Sequence, residues 1–127
     1  TILWMVGPQT IEDHIRPRLT EAAVDAGRYE PRIVCSLPVC VTDETEAVRD
    51  AASQIFSIYG ELPSYRAMLD REGVDHPGEV AVIGSEAEVI AKIADLEQAG
   101  TTDFAALEFG RSTDEYSRTR ALLKGLL

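Results

Sequence analysis

Apolar residues along this chain follow two rhythms, short unbroken runs and positions three or four apart, and the two rhythms alternate from end to end. Ile2 to Val6 is a continuous apolar run closed by Gly7-Pro8, which predicts a strand buried on both faces, as in parallel sheets. Thr10 with Asp13 resembles a helix start, and Ile11, Ile15, Leu19, Ala22, Ala23 and Ala26 then recur at helical spacing as far as Gly27. Pro17 lies inside that span, so either a single helix kinks there, the preferred reading, or the helix begins properly with Pro17 in its first turn. Arg32 to Val41 reads as the second strand, with a bulge or an end to regular pairing expected at Pro38, which has no N–H to give a ladder.

Asp43 with Glu46 makes the next capping pair, ahead of a helix face of Ala47, Val48, Ala51, Ala52, Ile55, Phe56 and Tyr59 that ends at Gly60. A shorter helix follows from Pro63 to Glu72, stopped by Gly73. Val74 to Gly78 reads as loop, and Glu79 to Ile83 as a short extended stretch not counted in the sheet. Ser85 with Glu88 opens a helix carrying Val89, Ile90, Ile93, Ala94 and Leu96 on one face and ending at Gly100. Phe104 to Phe109 is the third strand, and Ser112 with Glu115 caps a last helix.

Strands joined by helical connections of this length must run parallel, so the fold class is α/β. Three parallel strands fit either one side of a small open sheet or an arc of an eight-stranded barrel. A complete barrel takes about 250 residues, and this chain has 127. It begins Thr1-Ile2-Leu3-Trp4, without Met and without a basic-then-apolar leader, which reads as an internal start. A single domain over residues 1–127 is expected, as part of a longer chain.

Charge narrows the partners. Twelve Lys and Arg against 22 Asp and Glu give a net charge of −10. Such a surface repels phosphate backbones and anionic membranes, and Arg16, Arg18, Arg28 and Arg32 are interleaved with acids in no basic stripe. Nucleic acid and membrane are therefore not expected as partners. No apolar run approaches the roughly 20 residues of a membrane-spanning helix. Cys35 and Cys40 lie five apart in one strand, an odd offset that sends them to opposite faces and disfavours a bridge, so reduced, buried thiols in a cytoplasmic protein are expected.

Candidate chemistry comes from position more than from motif. His14 and His76 have no paired Cys or His at ligand spacing, so no metal site is expected. No nucleophile elbow, phosphate-binding Gly-rich loop or dinucleotide fingerprint occurs. In parallel α/β folds ligands gather at the carboxyl ends of strands. Here those ends hold Trp4-Met5-Val6-Gly7, Ser36-Leu37-Pro38 and Leu107-Glu108-Phe109-Gly110-Arg111-Ser112. Glu108 is a carboxylate in an otherwise apolar strand, either paired with Arg111 or part of a site. The turn through Arg111 feeds a helix N-terminus, which can seat an anion, or is an ordinary cap with Arg111 in water.

The order of segments resembles the C-terminal part of the bacterial-luciferase-like family, in particular its oxidoreductases that use the deazaflavin coenzyme F420. The matching stretches are Ile2-Leu3-Trp4-Met5, then His14 to Ala23 running on to Ala26-Gly27-Arg28, then Val39-Cys40-Val41-Thr42-Asp43 leading to Tyr59. Val82-Ile83-Gly84-Ser85-Glu86-Ala87-Glu88-Val89, continuing to Leu96, Ala99-Gly100 and Asp103-Phe104, resembles the family's Val-Gly-Ser/Thr-x-Glu-x-Val segment before the last barrel strand.

The resemblance implies a TIM (β/α)8 barrel of which this chain carries the C-terminal portion, about three βα units, with strands one to five absent. Family members draw most cofactor contacts from those earlier strands. The implied cofactor is F420, with FMN as the alternative, and the implied reaction is hydride transfer or monooxygenation on a small organic substrate. This part alone is expected to be inactive, and no catalytic residue carries over. Leu37, Trp4 and Met5 are the implied cofactor contacts, and Glu108 and Arg111 the implied substrate contacts. The competing reading is a non-catalytic α/β module that associates with itself. A homo-oligomer is expected in either case, because an isolated arc leaves an apolar face and two strand edges open.

Overall fold

The computed structural model describes residues 1–127. Its elements run β1 (Ile2–Trp4), α1 (Pro8–Thr10), a π-helical turn (Ile11–Ile15), α2 (Arg16–Asp25), β2 (Val34–Val41), α3 (Thr45–Ile55), α4 (Ser57–Glu61), α5 (Pro63–Glu72), a 3-10 turn (Pro77–Glu79), β3 (Val82–Gly84), α6 (Glu86–Gln98), β4 (Asp103–Glu108) and α7 (Thr113–Gly125). Every strand pairing is parallel, as the helical crossovers require.

β2 is the centre of the sheet. β4 pairs along one edge from Val34↔Asp103 to Val39↔Glu108. The other edge is shared in tandem, by β1 from Val34 to Ser36 and by β3 from Val39 to Val41. The sheet therefore has four strands, and the stretch read as lying outside it supplies one of them. The extended stretch expected over Glu79 to Ile83 begins with a 3-10 turn, because Pro77 starts a helical turn and the Glu79 carboxylate caps it through the His76 and Asp75 N–H groups.

Pro38 causes no bulge: the register with β4 runs through it unbroken. Val34 and Ser36 direct their backbone groups to β1, and Val39 directs its carbonyl to the Phe109 N–H at 2.9 Å. By alternation the backbone of Pro38 points to the β1 edge, into the gap where β1 has ended and β3 has not begun. The missing N–H falls where no acceptor waits.

The first helix starts at Pro8, two residues before the expected cap at Thr10, with Pro at its first position. Its kink is a π turn: the Arg16 N–H reaches back to the Ile11 carbonyl just before Pro17. A wider turn there accommodates a proline that cannot close the ordinary ladder. The next helix breaks at Phe56 rather than ending at Gly60, and its N-cap is Glu44 without a side-chain cap, because Asp43 is drawn away to Arg118. Both Ser-x-x-Glu capping boxes form as expected, at Ser85/Glu88 and Ser112/Glu115.

The two faces of the sheet differ. On one, Cys35, Leu37, Val39 and Val41 are all buried to 1% exposure or less, in a core of 14 residues that includes Leu69 of α5 and Val89 and Leu96 of α6. On the other, a smaller cluster joins Cys40, Ile83 and Phe109 to Val48 and Ala52 of α3. That cover reaches only the carboxyl ends of the strands. Below it Ile2 is 77% and Leu107 44% exposed, so β1 is not buried on both faces as its apolar run suggests. No helix is long and apolar enough to cross a membrane.

Candidate functional site

The carboxyl ends of β1, β2 and β4 converge beneath the break between α3 and α4, and aromatic rings gather there. Trp4 closes β1, Phe56 sits at the helix break, Tyr59 lies in α4, Tyr65 in α5, and Phe109 follows β4. Trp4 meets Phe56 and Tyr59 nearly edge-on, with ring centres 5.8 and 6.0 Å apart, and Phe56 reaches Phe109 at 5.7 Å. Tyr59 and Tyr65 extend the row at 4.8 Å. Edge-to-face contacts of this kind add about 0.5–1.5 kcal/mol per pair beyond simple burial. The helix break at Phe56 is what brings Phe56 and Tyr59 to this end of the sheet.

Two features of this cluster are costly. The indole Nε1 of Trp4 is buried and has no hydrogen-bond partner, a loss of about 1–3 kcal/mol for a buried donor. Met5, fully buried, holds a left-handed backbone with φ 55°, which costs about 1–3 kcal/mol in a residue with a Cβ. Strain and an unsatisfied donor side by side at a strand end are features that cluster at ligand sites.

The residues singled out from the sequence do not form one group. Trp4 stands in the aromatic cluster, with Met5 behind it in the larger core. Leu37 faces the helices, and lines a cavity of about 210 Å³ with Val80, Val82 and Leu96. Glu108 shares the register and face of Val39, which also looks toward the helices. The expected pairing of Glu108 with Arg111 does not occur. Glu108 binds Arg120 of α7, with Nε 2.9 Å from Oε1, and hydrogen bonding from that guanidinium lowers its carboxyl below the usual range. Arg111 lies past the end of β4, where it pairs with Glu44 instead.

The anion seat expected at the Arg111–Ser112 turn is filled from within. The Glu115 carboxylate accepts from the Arg111 N–H at 2.6 Å, the Ser112 N–H at 3.1 Å and the Thr42 hydroxyl at 2.7 Å. Burial raises its pKa, but these hydrogen bonds outweigh burial and leave it below the ordinary value. The same solution recurs twice. Glu88 takes the Ser85 N–H at the start of α6, and Glu72 takes the N–H groups of Gln9 and Thr10 at the start of α1. Gly7 is what admits Glu72, since a Cβ there would collide with its carboxylate.

The mouth around Thr42, Asp43, Glu44, Arg111, Ser112, Asp114, Glu115 and Arg118 encloses about 340 Å³. Its two arginines are both engaged, Arg111 with Glu44 and Arg118 with Asp43 and Glu86 at 3.0–3.1 Å. Sequence reading missed Phe56, Tyr59 and Glu115 as members of this end of the molecule. Phe56 and Tyr59 carry a signal, being aromatic on a helix that follows a strand end, but their spacing is equally that of an ordinary helix face.

Among solved structures, the fold matches that of an F420-dependent secondary alcohol dehydrogenase in complex with an F420-acetone adduct. The TM-score is 0.64 over 96% of this chain, at 17% sequence identity. The chain spans 42% of the length of that structure. The likeness is one of fold: an α/β arrangement with parallel strands. No protein-family model matches the sequence, and no curated protein matches it.

Proposed function

We propose that the chain is the C-terminal strand–helix part of a (β/α)8 oxidoreductase using F420, or FMN in its place, on a small organic substrate. The observation that carries this reading is the fold match to an F420-dependent alcohol dehydrogenase over 96% of the chain. The cofactor would supply hydride chemistry when bound. The open sheet face, the aromatic row and the unpaired Trp4 indole fit a flat, partly polar ring at the strand ends. Phe56 and Tyr59 would exclude water from it, and Trp4 would orient it or the substrate beside it. Leu37 and Glu108, turned to the helices, are assigned to packing and to the α7 contact, and Arg111 to holding Glu44 at the mouth. The helix N-termini after β1, β3 and β4 are already filled by carboxylates, so the phosphate contacts of such a cofactor are assigned to strands upstream.

A second reading rests on the exposed Ile2 and Leu107: a module that covers this face by self-association. Titration with F420 and FMN separates the two. The isolated chain is expected to bind either more weakly than micromolar, and a longer chain carrying five preceding strands to bind at micromolar or tighter and to reduce the cofactor with a secondary alcohol. A longer chain that binds neither overturns the oxidoreductase reading.

A further inference from the structure

We infer that Lys92 is a site of N-acylation, its amine taking a short, uncharged aliphatic acyl group from a thioester while the cavity beside it houses the chain. The inference stands apart from the oxidoreductase reading and needs no cofactor.

The cavity comes first. Lys92 of α6 lines a space of about 210 Å³ together with Leu37 of β2, Val74 just past α5, and Val80 and Val82 at β3. Leu37, Val80, Val82 and Leu96 are buried, whereas Glu79 and Asp95 of the same lining are exposed, so the space is apolar within and meets water at an acidic rim. A chain of a few carbons leaves water on entering it, and each methylene adds to the gain.

The amine itself is poorly served where it stands. Lys92 is half-buried, its Nζ donates only to the Ile83 carbonyl, at 2.8 Å, and it enters no ion pair. An ammonium has three donors and a full charge to satisfy. The charged groups around it are Glu88 and Asp95 on its own helix, Glu72 of α5, Glu79 of the 3-10 turn and Arg49 of α3. Glu72, Glu79 and Glu88 are spent on the N–H groups of Thr10, His76 and Ser85. Burial lowers the Lys92 pKa, the Arg49 charge lowers it further, and Glu88 opposes them with a smaller pull. Desolvation beside a second cation is one of the ways proteins make a lysine nucleophilic.

The acylated product suits the site better than the ammonium does. The neutral nitrogen attacks the thioester carbonyl, a C–N bond forms, the C–S bond breaks, and the thiolate leaves and takes up the proton that the nitrogen sheds. The resulting amide keeps one N–H, matching the one acceptor that Ile83 offers, and carries no charge to desolvate. Its chain lies in the apolar space, and the rim of Glu72, Glu79 and Asp95 disfavours an acyl group that carries its own carboxylate.

Lys92 and Lys124 are the only lysines of the chain, and Lys124 is exposed, so it serves as an internal control. The folded chain is treated at pH 8 with the acetyl, hexanoyl and succinyl thioesters of N-acetylcysteamine, cut at its glutamates, and the two lysine peptides are quantified by mass spectrometry. Lys92 is expected to take the hexanoyl group about tenfold faster than Lys124 despite being the less exposed of the two. Hexanoyl is expected to outpace both acetyl and succinyl at Lys92 and not at Lys124, and in denaturant the two lysines are expected to react alike. Equal or faster reaction of Lys124 in the folded chain, acetyl or succinyl transfer to Lys92 as fast as hexanoyl, or a Lys92 preference that survives denaturation would each overturn the inference.

Discussion

The two faces of the sheet are built from one strand and yet obey different rules. On the helix side, alternate residues of β2 from Cys35 to Val41 are sealed beneath α5 and α6. On the other side, alternate residues are covered where α3 reaches them, at Cys40, and lie half-buried at Val34 and Ser36. A strand buried on both faces reads as a continuous apolar run. Here that run promises more burial than the chain supplies. The surplus is the open face, and the unpaired indole lies at its upper end. The difference teaches that burial of one face is enough to hold the fold, while the other is left partly in water.

The largest test of that division compares two leucines. Leu37→Ala should cost about 2–5 kcal/mol, because it leaves a cavity in a sealed core, and Leu107→Ala less than about 1 kcal/mol, since nearly half of that side chain is already in water. Denaturant unfolding of both variants measures the gap. Equal losses would mean that the open face is covered in solution, and sedimentation of the parent chain would then reveal the association.

Glu115 ties the two sides together at their common end, since it joins α7 to Thr42 just past β2. Its folded pKa lies below its ordinary value, so the unfolded chain binds the extra proton as the solution is acidified. The stabilisation is full above the unfolded value of about 4.3 and is lost as pH falls through the lower folded value. Glu115→Gln should therefore cost about 1–3 kcal/mol at neutral pH and flatten the acid limb of the stability profile. An unchanged limb would assign acid sensitivity to other carboxylates.

The cysteines give a subtler comparison, one on each face. Burial pushes the Cys35 thiol up to about 12 and the Cys40 thiol up to about 11, with Glu72 and Glu115 adding to the rise. Both should resist a thiol reagent at pH 8 in the folded chain and react on unfolding. Of the two, Cys40 should react first under mild denaturant, because it belongs to the small cluster beneath α3, whereas Cys35 lies under the full helix layer. Simultaneous reaction would show that α3 does not lift separately.

Pro38→Ala should produce the smallest change, a loss of about 1 kcal/mol, because the restored N–H would be a buried donor pointing into the gap between β1 and β3, where no acceptor waits. A loss above about 2 kcal/mol would mean that the edge is closed there by contacts that the alternation does not predict.

Much of this is legible in the residues alone. The parallel α/β class, both Ser-x-x-Glu helix starts and the opposite facing of the two cysteines follow from local periodicity, and local periodicity is a property of neighbours in sequence. Trp4 is legible as a strand-end residue for the same reason. What tertiary structure decided is everything that depends on which residues meet across the sheet. Glu108 and Arg111 are close in sequence, yet each found a partner farther off, Arg120 and Glu44, because β4 ends between them and only Glu108 keeps the strand's alternation. Val82–Gly84 is too short to announce itself as a strand, and it becomes one because β2 offers a free edge beyond the end of β1. Leu37 turned to the helices and Trp4 to the rings because a single register, set by the pairing of β2 with its neighbours, assigns every side chain to a face at once. Periodicity fixes which residues share a face; only packing decides which face is closed and which is left open.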